Sequence, residues 1–167
     1  MTDRFAYVTY IRTTPDKLWD ALLKPEFTRA YWYGLRHDCD WQKGSVWRLT
    51  FSDDRVVADG EVVEIERPKR LVLKWRHQLI PELHAEGDTR FVIELEQVGE
   101  VVKLTITHEV DKPGSKFIQA VSSGFPQILS SLKSLLETGK ALPGTDKLPE
   151  RLTDEAIAEW RAPVTGG

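Results

Sequence analysis

Phe125-Pro126-Gln127-Ile128-Leu129-Ser130-Ser131-Leu132-Lys133-Ser134-Leu135-Leu136-Glu137 is the stretch whose reading decides the fold. Phe125, Ile128, Leu129, Leu132, Leu135 and Leu136 recur at three- and four-residue steps. That gathers them on one side of an α-helix and leaves Gln127, Ser130, Ser131, Lys133 and Glu137 mainly on the other. Upstream, Phe117, Ile118 and Val121 keep a compatible spacing, so a continuous helix from near Ser115 or Lys116 to Glu137 would be about 33 Å long. Gly124 and Pro126 interrupt the pattern. Proline lacks an amide donor and crowds the preceding turn, which predicts either a kink or a fresh start with Ser122 or Ser123 as cap. Gly139 closes the helix just past its last apolar pair. A helix with one apolar side needs a surface on which to bury it.

The preceding hundred residues supply that surface. Phe5 to Ile11 reads as a first strand. Thr14-Pro15-Asp16 then caps and opens a helix through Leu18, Trp19 and Leu22, ended by Pro25. Glu26 to Tyr33 predicts a second short helix closed by Gly34. From Leu35 to Val110 the period changes to two. Leu35 to Trp41 is a weak strand; Trp47, Leu49 and Phe51 share a face in the next; Val56 to Ile65 follows, with Gly60 as a bulge candidate. Leu71, Leu73, Trp75 and His77 form one inward row, Phe91, Ile93 and Leu95 another, and Val102, Leu104, Ile106 and His108 the last. Gln78 to Asp88 reads as a looser connection containing Pro81 and Gly87. A meander of antiparallel strands with one apolar face and a late helix with one apolar side must bury each other, giving a two-layer α+β domain. Twist curls such a sheet, so the helix should lie across its concave side. Periodicity leaves open whether the large inward aromatics fill that concavity or line it.

Composition bounds the function. Charged residues make up 29% of the chain and the net charge is -3, so no overall field favours nucleic acid or an anionic membrane. The lone cysteine, Cys39, rules out an internal disulfide framework and any multi-cysteine zinc site, and fits a reducing compartment. No stretch of about eighteen apolar residues occurs, and the N-terminus has no apolar signal core, so a soluble cytoplasmic protein without a membrane span is expected. Glycine-rich phosphate loops, dinucleotide fingerprints and the Gly-x-Ser-x-Gly elbow are absent from the sequence. After Lys140, Leu142-Pro143-Gly144-Thr145-Asp146 reads as a linker, followed by a short helix expected over Thr153 to Trp160.

With these elements placed, the sequence resembles a known family. Tyr10-Ile11 precedes Thr14-Pro15-Asp16-Lys17-Leu18-Trp19-Asp20-Ala21-Leu22, then Pro25-Glu26-Phe27 and Tyr31-Trp32. Gly60-Glu61-Val62-Val63-Glu64 leads to Arg70-Leu71 and Trp75, and Thr105-Ile106-Thr107-His108 precedes Gly124-Phe125-Pro126, Leu129 and Leu132-Lys133. In that order these fragments resemble the bacterial single-domain members of the activator-of-Hsp90-ATPase-like branch of the START-related helix-grip superfamily, also called SRPBCC. The resemblance spans roughly Arg4 to Glu137 and implies a helix-grip fold: a curved antiparallel sheet of about six to seven strands wrapped around a long C-terminal helix, with two short helices after the first strand. It also implies an internal cavity, which across the superfamily holds lipids, sterols, hormones or polyketide intermediates. The expected division is residues 1–139 for the helix-grip domain and 140–167 for a C-terminal extension. The eukaryotic cochaperones that give the branch its name carry an additional N-terminal domain, and here the family domain starts within the first few residues, so Hsp90 is not an expected partner.

Several residues are candidates for chemistry. Trp32, Trp47, Leu49, Trp75, Phe125 and Leu129 are the expected walls of a site for a small hydrophobic molecule, with His77 or His108 as its polar contact. The simpler alternative is that the aromatics only fill the core and the histidines only end strands. No cofactor and no metal are expected: His77 and His84, with Glu82 and Glu86 nearby, match no common ligand spacing, and nothing in the local sequence places a base beside Cys39. Binding is favoured over catalysis. The other readings are a cyclase, dehydratase or hydrolase using the same cavity, and a chaperone-related interaction module. A second copy of the chain is an open option as partner.

Overall fold

Alternation of Phe5, Tyr7, Thr9 and Ile11 with exposed neighbours makes β1 (Asp3–Ile11) in the computed structural model, which describes residues 2–148. The helix expected over Thr153 to Trp160 lies outside those residues. Thr14 caps α1 (Pro15–Leu23), its hydroxyl accepting from the Lys17 amide, and Pro25 both stops α1 and starts α2 (Pro25–Tyr31). Six strands follow: β2 (Arg36–Cys39), β3 (Val46–Thr50), β4 (Val56–Glu66), β5 (Arg70–His77), β6 (Thr89–Val98) and β7 (Val101–Val110). Between β5 and β6, where the sequence predicts only a connection, Pro81 opens a five-residue helix, α3 (Pro81–Ala85). A single turn is too short to show a helical period.

All seven strands pair antiparallel in the order β1-β7-β6-β5-β4-β3-β2. β1 and β2 therefore occupy opposite edges, and α1 and α2 carry the chain from one edge to the other. The expected inward rows are buried: Trp47 and Leu49; Leu71, Leu73 and Trp75; Phe91, Ile93 and Leu95; Val102, Leu104, Ile106 and His108. The other face carries charge pairs such as Arg70 with Glu94 and Lys74 with Glu61.

Gly60 is not the bulge that its place in the strand suggests. The register slips two residues later, between Val62 and Glu64, while Gly60 is paired on both sides, with Trp47 and with Trp75. A Cβ at Gly60 would lie 1.8 Å from the Lys74 carbonyl oxygen, so glycine is required here for close backbone approach. It also leaves no side chain between the two flanking indoles.

α4 (Lys116–Thr138) runs unbroken through Pro126, so the fresh start does not occur. Ser115 caps it, Oγ accepting from the Ile118 amide at 3.1 Å, and Gly139 ends it in the left-handed conformation. Phe117, Ile118, Val121, Phe125, Ile128, Leu129 and Leu132 are buried, and the helix packs on β1, β7 and α2. Ser131, expected on the wet side, is fully buried because the chain after α4 folds back over it. The segment read as a linker is docked: Thr145 is buried, its Oγ1 lies 2.8 Å from Ser131 Oγ, and its carbonyl accepts from the Tyr33 amide at 2.7 Å.

Candidate functional site

Inward aromatics from β2, β3, β5, β7 and α4, with Trp32 from the end of α2, meet between the sheet and α4. Ring centroids step from Trp32 to Phe125 at 5.6 Å, Phe125 to His108 at 4.9 Å and His108 to Trp75 at 5.2 Å. From there they step to Trp47 at 4.8 Å, to His37 at 6.0 Å and back to Trp32 at 5.0 Å. Six rings thus form a closed circuit. The T-shaped and tilted geometries are those that aromatic quadrupoles prefer. Phe91 and Phe117 pack against the His108 side, 4.4 and 5.4 Å from its ring. Of the eight residues singled out from sequence, Trp32, Trp47, Trp75, His108 and Phe125 are members of the circuit. Leu49 and Leu129 are buried, each on the same element as a member: Leu49 two residues from Trp47 on β3, Leu129 one turn from Phe125 on α4. His77 is not a member of the circuit; it ends β5 opposite Ala58, with its carbonyl accepting from His84 Nδ1–H at 3.0 Å.

His37 is not among the sequence candidates, although it holds one side of the circuit. Its Nε2–H donates to the Leu22 carbonyl at 3.0 Å and its Nδ1 accepts from Trp47 Nε1–H at 3.0 Å, which fixes the neutral tautomer. Burial lowers its pKa to about 4, against a smaller opposing effect of the Leu22 bond. Two signals for it exist. His37 falls on the inward parity of Leu35 and Cys39, and a buried Trp47 indole must find an acceptor.

His108 is handled differently. It is fully buried, faces Trp75, Phe91, Phe117 and Phe125, and neither ring nitrogen has a hydrogen-bond partner. Burial lowers its pKa to about 3, so the ring is neutral at physiological pH and offers one donor and one acceptor. Trp75 Nε1, beside it, is also buried and unpartnered. His77 Nε2 is in the same state, and its pKa falls to about 4 through burial and then the neighbouring His84.

Two clefts lie outside the circuit. One of about 670 Å³ sits on the outer face beside Arg70 and Glu94, and another of about 390 Å³ is lined by Trp19, Leu23, Trp41 and Ile65. Neither is lined by a circuit member. Among the described residues no group of three or more His, Cys, Asp or Glu side chains is placed to hold a metal, and no helix is long and apolar enough to cross a membrane.

The family model of the activator of Hsp90 ATPase homolog 1-like proteins matches residues 12–137. The chain belongs to this family. Solved structures agree on the fold. The protein MLL2253 from Mesorhizobium loti is 20% identical, with a TM-score of 0.68, covering 81% of this chain and 97% of its own. The Aha1 dimer from Colwellia psychrerythraea is 19% identical, with a TM-score of 0.66, covering 83% and 99%. CalU16 from Micromonospora echinospora is 18% identical, with a TM-score of 0.65, covering 98% and 89%. At these identities the likeness speaks for the fold alone. No curated protein matches the chain.

Proposed function

We propose that this protein binds a small apolar or aromatic molecule between the sheet and α4, with Trp32, Trp47, Leu49, Trp75, Phe125 and Leu129 as walls and His108 as the polar contact. The observation that carries the reading is His108 itself. Burying an imidazole without partners costs roughly 1–3 kcal/mol, and a phenylalanine would fill the same space without that cost. A guest with a polar atom would offset it. The circuit rings are buried, so the guest enters by parting them. Partially filled aromatic sites of this sort recognise their ligands through a few placed polar groups.

Titration with the fluorescent apolar probe N-phenyl-1-naphthylamine tests this, backed by native mass spectrometry for co-purified molecules. Saturable binding is expected, abolished by Leu129→Trp, which fills the gap, and retained in Val8→Trp on the exposed outer face. Absence of saturable binding, or binding unchanged by Leu129→Trp in a variant whose circular dichroism shows it folded, would count against the site. A second copy of the chain is also proposed as a partner, supported by the similar Colwellia protein, which is a dimer. Sedimentation at twice 19.1 kDa is the expected result, and sedimentation at 19.1 kDa overturns it.

A further inference from the structure

The unpartnered polar atoms of the interior are not scattered. Of the seven buried side-chain nitrogen and oxygen atoms without a partner among the described residues, five belong to Trp75, His77, Glu86 and His108. Trp75 and His108 pack on the ring of Phe117, in the first turn of α4, and Glu86 binds the amide of the same residue. The Phe117 ring lies 6.3 Å from Trp75 and 5.4 Å from His108, and its amide donates to Glu86 Oε2 at 3.0 Å. His77 follows Trp75 by two residues on the same face of β5. α3 packs on β5 and α4 over this end, tied down by that Glu86 bond and by Lys116 with Glu82 at 3.0 Å.

We propose that this end of the site recognises a neutral aromatic molecule through a hydroxyl group, held among Trp75, His77, Glu86 and His108. The inference rests on the interior binding reading above and names its ligand class. Trp75 Nε1–H only donates, and the free Glu86 oxygen accepts, its partner oxygen already bonded to the start of α4. The neutral His108 ring offers one donor and one acceptor, and His77 Nε2 offers one or the other according to its tautomer. A hydroxyl accepts from the indole and donates to a carboxylate or imidazole from one atom. A hydrocarbon satisfies none of these groups. A carboxylate or phosphate brings negative charge against Glu86 and no proton for it, and an ammonium has no lone pair for the indole. The surrounding Phe91, Phe117 and Phe125 rings select an aromatic body.

Displacement of N-phenyl-1-naphthylamine by 2-naphthol and by its near-isostere 2-methylnaphthalene tests the proposal. The naphthol should displace the probe at about tenfold lower concentration or better, the discrimination expected when a site's buried polar groups are left unpaired by the analogue. In His108→Phe and in Trp75→Phe, which keep a ring and remove the polar atom, that preference should shrink to about twofold while the hydrocarbon competes as before. If one variant does not fold, the other decides. Equal displacement by both compounds overturns hydroxyl recognition and leaves the interior site standing. So does a preference that survives both substitutions. Failure of the probe to bind wild-type protein, or of both compounds to displace it, overturns the binding reading as well.

Discussion

His37 and His108 are the same side chain at the same depth, and the fold treats them in opposite ways. His37, on β2 near one edge of the sheet, has each ring nitrogen bonded, one to the Leu22 carbonyl of α1 and one to the Trp47 indole. His108, on β7 beneath α4, has neither bonded. His37 works as a clamp joining a helix to two strands. His108 contributes shape to the packing and withholds its polar chemistry from it. The difference separates a histidine bonded into the architecture from one whose polar atoms the architecture leaves unused, and burial alone would not have told them apart.

Breaking the seam between the two regions should have the largest effect. Gly60 lies in register between Trp47, which belongs to the His37 side, and Trp75, which belongs to the His108 side. Gly60→Ala places a methyl against the Lys74 carbonyl and should cost more than about 3 kcal/mol or prevent folding. A loss under about 1 kcal/mol in urea unfolding would show that the two sides are not joined there. Next, His37→Leu leaves the Leu22 carbonyl and the Trp47 N–H unpaired in the core, for an expected loss of about 2–4 kcal/mol. His108→Phe should run the other way, with stability unchanged or raised by about 1–2 kcal/mol, since two unpaired nitrogens are removed and the ring is kept. A loss of about 2 kcal/mol or more would mean that the fold depends on His108 as it does on His37.

Acid sharpens the comparison further. The folded-state pKa values, about 4 for His37 and about 3 for His108, lie below the ordinary 6.5. Below about pH 6.5 the unfolded chain takes up protons that the folded chain refuses, so stability that is complete above that value is lost as pH falls toward the folded values. Each such histidine contributes a slope of about 1.4 kcal/mol per pH unit. From pH 6 to pH 5 the advantage of His108→Phe over wild type should therefore widen by about 1 kcal/mol, and the deficit of His37→Leu should narrow by a similar amount. Unfolding curves at the two pH values check both. A gap independent of pH would show that the imidazole titrates as freely in the folded chain as in the unfolded one.

The architecture was legible in the sequence because periodicity is dense there. Rows such as Leu71, Leu73, Trp75 and Val102, Leu104, Ile106, His108 are buried at every second position, and the apolar stripe of α4 continues on both sides of Pro126. Most of the aromatic circuit could be named for the same reason, as its members are inward positions of those rows. What escaped was set by contacts between elements distant in sequence. His37 sits in a four-residue strand whose pattern is too short to weigh, and its role depends on Leu22 and Trp47. Glu86 reaches Phe117 across 31 positions, and nothing local marks it. Gly60 read as a bulge because glycine in a strand has two meanings, and only the register tells close approach from an inserted residue.

Long-range nitrogen–proton NMR of the imidazole rings, recorded while N-phenyl-1-naphthylamine is added, addresses the central contrast in one experiment. The account predicts that the His37 ring shows a fixed Nε2–H tautomer that the probe leaves in place, while the His108 nitrogens shift progressively and saturate with the probe. His108 resonances that stay still, or that shift no more than those of His37, would contradict it.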